Sequence, residues 1–290
     1  MKRVWFLFAA VAAVMPLAAT ARAADWATGV ADYSAGAAYP HPDPTAPYVP
    51  PPAGEVDASF TTATTAILDG LTADTGFGAL TPFNGAYSPD QILGVGSGGS
   101  ITLQFPTPVR TNGYTIGVHT GSGLIDSDYP NGTAAISAPT YTTPRRATVA
   151  VSAAGTDWIP LDTFDLNNPS NFYAAGVDTP GYQPSVAAGT PADVEQPFTG
   201  TLASFSGDTW PQILTTLDGS AGGNWLDLSS TGLPSVSFIR FTVPSGSILY
   251  LDGVVGLPVP EPSSLALLAL GVTGVLLRRK RPPLSRMVSS

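Results

Sequence analysis

Ile101-Thr102-Leu103-Gln104-Phe105-Pro106-Thr107-Pro108-Val109-Arg110-Thr111-Asn112-Gly113-Tyr114-Thr115-Ile116-Gly117-Val118 is the stretch that decides the fold class. Ile101, Leu103 and Phe105 alternate with Thr102 and Gln104, and Tyr114, Ile116 and Val118 alternate with Thr115 and Gly117. A period of two is that of a half-buried β-strand, and Pro and Gly stand between the two runs as turn residues. Working outward, Ala147, Val149 and Val151 repeat the pattern, as do Ile239, Phe241 and Val243 around Arg240 and Thr242. Leu249, Leu251 and Val255 supply a last strand. Helical periodicity is confined to Ala66–Thr72 and Trp210–Leu217. Many short strands separated by Gly and Pro point to an all-β fold, and a jelly-roll-like antiparallel β-sandwich is the expected architecture.

Composition agrees. Of 290 residues, 31 are Gly and 29 are Pro, so turns are frequent and long helices are not expected. Charged residues make up 11%, against about 25% in an ordinary soluble domain. The absence of cysteine excludes a disulfide framework, leaving packing or bound ions to stabilise the fold. Residues 24–262 hold only four basic residues (Arg110, Arg145, Arg146 and Arg240), no lysine and all 21 acidic residues, a formal charge of −17. Such a surface repels nucleic acid, whose binding depends on neutralising phosphates, and it attracts cations.

The other basic residues sit at the two ends. Lys2 and Arg3 precede an apolar run, Val4 to Ala19, and Ala21-Arg22-Ala23 is a small-x-small cleavage site. Residues 1–23 therefore read as a signal peptide with a helical apolar core, and the mature chain is expected to begin at Ala24. The sequence predicts an extracellular domain over 24–258, including a Pro-rich extended segment over 39–52 with seven prolines. At the other end Val259-Pro260-Glu261-Pro262-Ser263 is a rigid extended piece, Ser264 to Leu277 is apolar, and Arg278-Arg279-Lys280-Arg281 follows at once. A helix of that apolar length spans about 21 Å, less than a hydrocarbon core of roughly 30 Å, and snorkelling arginines make up part of the gap. The basic cluster is expected to stay in the cytoplasm, leaving the body outside. Residues 259–281 form this sorting and transmembrane segment, and 282–290 a tail.

The three-part ending, Pro260-Glu261-Pro262, the run from Leu265-Ala266-Leu267-Leu268, and Arg278-Arg279-Lys280-Arg281, resembles the PEP-CTERM sorting signal of Gram-negative bacteria. The resemblance implies secretion machinery, transient anchoring in the inner membrane, cleavage near the motif by an exosortase-type membrane protease, and delivery to the cell surface or exterior. The body also resembles a group of PEP-CTERM surface proteins with a galactose-binding-like sandwich. The carrying stretches are Leu80-Thr81-Pro82-Phe83-Asn84, Ser88-Pro89-Asp90-Gln91-Ile92-Leu93, Gly98-Gly99-Ser100-Ile101-Thr102-Leu103-Gln104-Phe105, Asp126-Ser127-Asp128-Tyr129-Pro130-Asn131-Gly132, and Ala147-Thr148-Val149-Ala150-Val151-Ser152 running on to Asp157-Trp158. That group implies a fold and a location, and no activity.

Chemistry is thinly represented. Gly94-Val95-Gly96-Ser97-Gly98-Gly99 matches the spacing of a dinucleotide loop, but a β-run follows where a helix is required, so it reads as a turn. His41 lies in the Pro-rich segment. His119 ends a strand and reads as a polar residue at a strand edge; with Ser122 three residues on and no nucleophile elbow, a catalytic triad is not expected. A glycan-acting hydrolase needs paired carboxylates across a cleft, and the only glutamates before the sorting motif, Glu55 and Glu195, sit in loop-like context. Calcium is the candidate cofactor, through Asp126, Asp128 and Asn131 on one loop, with Pro130 and Ser137 departing from the EF-hand pattern. Trp158, Trp210 and Trp225 are the candidate sugar-stacking rings. An exposed row of them beside Asn or Asp favours a carbohydrate-binding module holding extracellular polysaccharide, and buried tryptophans count against it. The leading expectation is a non-enzymatic, surface-sorted sandwich of the envelope or extracellular matrix.

Overall fold

The computed structural model describes residues 25–37, 81–83, 85, 92–129, 131–135, 145–169, 173–175 and 190–259. The expected signal helix, the Pro-rich segment, the helix over Ala66–Thr72 and the C-terminal apolar helix lie outside the described residues. Everything described belongs to one compact unit, Ala23–Val259.

The described residues form twelve strands, ten of which make two principal sheets. They are β1 (Asp25–Trp26), β2 (Gly29–Ser34), β3 (Leu93–Val95), β4 (Ser100–Val109), β5 (Tyr114–Thr120), β6 (Arg146–Ser152), β7 (Ile159–Asp165), β8 (Tyr173–Ala175), β9 (Thr190–Pro191), β10 (Asn224–Asp227), β11 (Val236–Thr242) and β12 (Leu249–Gly256). The first sheet runs β1-β12-β5-β10, with β3 sharing the β1 edge of β12; the second runs β2-β4-β11-β6-β7. Every pairing between strands is antiparallel, and β8 and β9 form a separate two-stranded ribbon. The sequence expectation of an all-β sandwich is met.

The period-two runs explain the packing. Ile101, Leu103 and Phe105 of β4, Val149 and Val151 of β6, and Ile239 and Phe241 of β11 point inward from the second sheet. They meet Ile116 and Val118 of β5 and Leu249, Leu251 and Val254 of β12 in one core. Facing apolar rows of this kind are what hold two sheets together. β5 and β12 are buried along almost their whole length, on both faces. Their outer face is covered by a layer built on the helix α1 (Trp210–Leu217), where Trp210, Ile213 and Leu217 fall on one buried stripe. A capping box opens α1, the Thr209 backbone N–H donating to Gln212 Oε1 at 2.9 Å, and Asp218 ends the helix in the left-handed region (φ 49°). Phe83 stacks on Trp210 at 6.0 Å between ring centres, and Phe198 on Phe205 at 5.2 Å. Trp225, Val255 and Leu257 complete this second core.

The two sides of the sandwich differ. On the β2 and β3 side the sheets are laced together: Tyr33 donates its hydroxyl to the Gly94 carbonyl at 2.8 Å, and Gly96 N–H donates to the Ala35 carbonyl at 2.7 Å. On the opposite side β7 and β10 are the last strands of their sheets. Among the described residues, no helix is long and apolar enough to cross a membrane.

Candidate functional site

A groove of about 720 Å³ lies on the β7 and β10 side, within the size range of small-ligand sites. One wall comes from β7 and the turn after it, through Asp162, Phe164, Asp165, Asn167 and Asn168. β10 and the start of β5 give Asn224, Trp225, Asp227 and Tyr114, and residues 198–203 close the groove at one end.

Asparagines fix its frame. Asn168 donates its side-chain amide to the carbonyls of Gly200 (3.1 Å) and Gly223 (3.3 Å), and its backbone N–H donates to Asn224 Oδ1 at 3.3 Å. These bonds tie the β7 turn, the 198–203 wall and the approach to β10 into one unit. The wall depends on Gly200, where an added Cβ would come within 2.4 Å of Phe198 Cζ. Asn167 Oδ1 is buried and accepts no hydrogen bond among the described residues. Such unmet acceptors are uncommon in folded proteins. Trp225 is a floor residue, not a free platform: it is buried and its indole N–H donates to the Gly222 carbonyl at 3.0 Å. Tyr114, by contrast, is 42% exposed.

Two of the groove's carboxylates have identified partners. Asp165 pairs with Arg146, whose guanidinium is pushed up by the hydrogen bond and charge of Asp165. Asp227 is held below its ordinary value by hydrogen bonds from Ser229, the backbone N–H among them at 2.8 Å. A general acid for glycoside cleavage requires the opposite displacement.

The residues singled out by the sequence are scattered. His119 is not at a strand edge. It is fully buried on β5, at 5.7 Å from the Trp26 ring, and burial pushes its imidazole down to about 4. β5 lies between β10 and β12, and the ring is covered by Trp26 and by Gly223, where an added Cβ would come within 3.0 Å of His119 Nδ1; both are distant in the chain, so a local reading of the strand does not show that depth. Ser122 is buried too, donating to the Leu166 carbonyl at 3.0 Å and accepting from Arg145 Nη1 at 2.9 Å. The Gly94–Gly99 stretch ends β3 and turns through residues 96–99 into β4, a turn between strands.

Asp126, Asp128 and Asn131 do share a loop. Asp126 Oδ1 accepts from the backbone N–H of Asp128 and Thr133, both at 2.9 Å, and Oδ2 from that of Gly132 at 3.1 Å. The carboxylate thereby closes the loop itself. Among the described residues, no group of three or more His, Asp or Glu is placed to hold a metal. Trp210 and Trp225 are core residues, and Trp158 lies beneath the Arg240 guanidinium, 3.8 Å from the ring centre. There is thus no exposed tryptophan row among the described residues, and the tryptophan argument for sugar binding falls. Ala21, Ala23, His41, Glu55, Pro260, Glu261, Pro262, Arg278, Arg279, Lys280 and Arg281 lie outside the described residues.

Val259 is described, and it is hydrogen-bonded: its N–H donates to the Pro108 carbonyl at 3.0 Å, after Leu257 N–H to Thr115 at 2.9 Å. Backbone pairing of the body therefore continues to the residue before Pro260.

Residues 258–281 match the PEP-CTERM protein-sorting motif. The comparison with curated proteins finds no match to the chain.

Proposed function

We propose that this chain, which carries a PEP-CTERM motif and so is exported, processed at the membrane by exosortase and sorted to the cell surface, is a non-enzymatic component of the envelope or extracellular matrix of a Gram-negative-type bacterium. The supporting observation is the direct join between body and motif. The sandwich is paired to Val259, and the motif match begins at 258, so processing at Pro260-Glu261-Pro262 leaves a folded body without a trailing linker. The burial of His119, the Arg146 pairing of Asp165 and the Ser229 hydrogen bonds that hold Asp227 below its ordinary value support a binding or structural role over hydrolysis. Isolation of the extracellular matrix fraction tests this reading: the processed body is expected there, and its confinement to the cytosol or periplasm overturns it.

A carbohydrate-binding module is the second reading, and the groove beside β7 and β10 favours it. An exposed tyrosine, amides and carboxylates on one concave surface offer both a ring for sugar C–H faces and acceptors for hydroxyls. Calcium is proposed as a stabiliser at the Asp126 loop and not as part of the groove.

A further inference from the structure

The charge of the groove selects among polysaccharides. We infer that it binds neutral or amine-bearing glycan chains and excludes acidic ones, those carrying uronic acids or sulfates; this rests on the carbohydrate-binding reading. Three carboxylates, Asp162, Asp165 and Asp227, line the groove, and none of its described lining residues is cationic. Arg146 neutralises one of the three through its pair with Asp165, leaving an excess of negative charge. Asp227 keeps its charge because Ser229 hydrogen-bonds it. A carboxylate or sulfate entering this surface meets like charge, the kind of repulsive element on which specificity is commonly built. Hydroxyl groups donate to the same oxygens, and a protonated amine pairs with them.

The rest of the groove suits a hydroxylated chain. Tyr114 presents an accessible ring with one polar end, and Phe164 and Leu202 extend the apolar surface. Thr199 and Thr201 stand exposed on the end wall. The Asn168 bonds to Gly200 and Gly223 hold these groups in place before any ligand arrives, which reduces the ordering cost of binding.

The test uses the full chain in mild detergent with four immobilised probes: a neutral galactan, chitosan, polyguluronate and heparin. Retention on galactan or chitosan is expected, with at least ten-fold weaker binding to polyguluronate and heparin at the same ionic strength. Tyr114→Ala is expected to weaken retention at least ten-fold, and an Asp162→Asn, Asp227→Asn double variant to lose the discrimination against acidic chains. These positions are exposed, and an unchanged Tm confirms that the variants fold. Equal or better binding of the acidic probes, or wild-type retention by Tyr114→Ala, overturns the inference while leaving the carbohydrate-binding reading intact. No retention on any of the four overturns that reading and the inference with it.

Discussion

Trp225 lies over Gly117, its partner across the β10–β5 register. A Cβ added at Gly117 would come within 2.9 Å of Trp225 Cε2 and Cζ2 and within 2.8 Å of Val255 Cγ1. The missing side chain is therefore the seat of the indole, and through it the outer layer sits on the first sheet. Gly117→Ala is expected to cost about 1–3 kcal/mol by overpacking, and Trp225→Ala about 3–5 kcal/mol by leaving a cavity. Urea unfolding of the two variants measures both; a Gly117→Ala protein as stable as wild type would show that the indole is free to move away.

His119 makes stability depend on pH. Its ordinary value is 6.5 and its folded value about 4, so between those limits the unfolded chain binds a proton that the folded one refuses. Stability from this group is complete above about pH 6.5 and is lost as pH falls toward 4. The displacement corresponds to roughly 3 kcal/mol at about 1.4 kcal/mol per pH unit. Denaturation midpoints measured from pH 7.5 to 4 should fall for wild type and fall less steeply for His119→Gln. Parallel curves would place the acid sensitivity elsewhere.

Arg240 and Trp158 form a cation–π pair on the second sheet, with Arg240 Nε donating to Thr102 Oγ1 at 3.1 Å. A double-mutant cycle with Arg240→Ala and Trp158→Ala is expected to give a coupling of about 0.5–1 kcal/mol. Additive losses would mean that the stacking contributes only area.

Asp126 organises its loop by accepting three backbone N–H bonds. Asp126→Ala should lower stability by about 1–3 kcal/mol, equally in calcium and in chelator, because the lost partners are amides. A calcium-dependent rise in wild-type Tm that the substitution abolishes would instead make Asp126 a ligand.

The strands of the central core were legible because each shows one clean face. β4, β6 and β11 alternate inside against outside, so Ile101, Val149 and Ile239 announce themselves. The groove was not legible, because its strands break the pattern. In β7 the half-buried positions are Ile159 and Leu161 and then Phe164, and the register shifts between Thr148 and Ala150 of its neighbour, so the period of two is lost midway. β10 has four residues, too few to show a period. The tryptophans misled for a related reason: a large amphipathic ring looks alike in sequence whether it faces solvent, as a sugar platform does, or an empty glycine position, as Trp225 does. Only an element distant in the chain, here α1, decides between them.

The most direct measurement is the mass of the protein recovered from the cell surface, read together with its two terminal sequences. The account predicts a chain that begins at Ala24 and ends near Pro260-Glu261-Pro262, and it predicts that Glu261→Ala or neutralising Arg278, Arg279, Lys280 and Arg281 leaves a longer, membrane-held form. An intact polypeptide recovered from the cytosol, with residues 1–23 and 263–290 still attached, would contradict it.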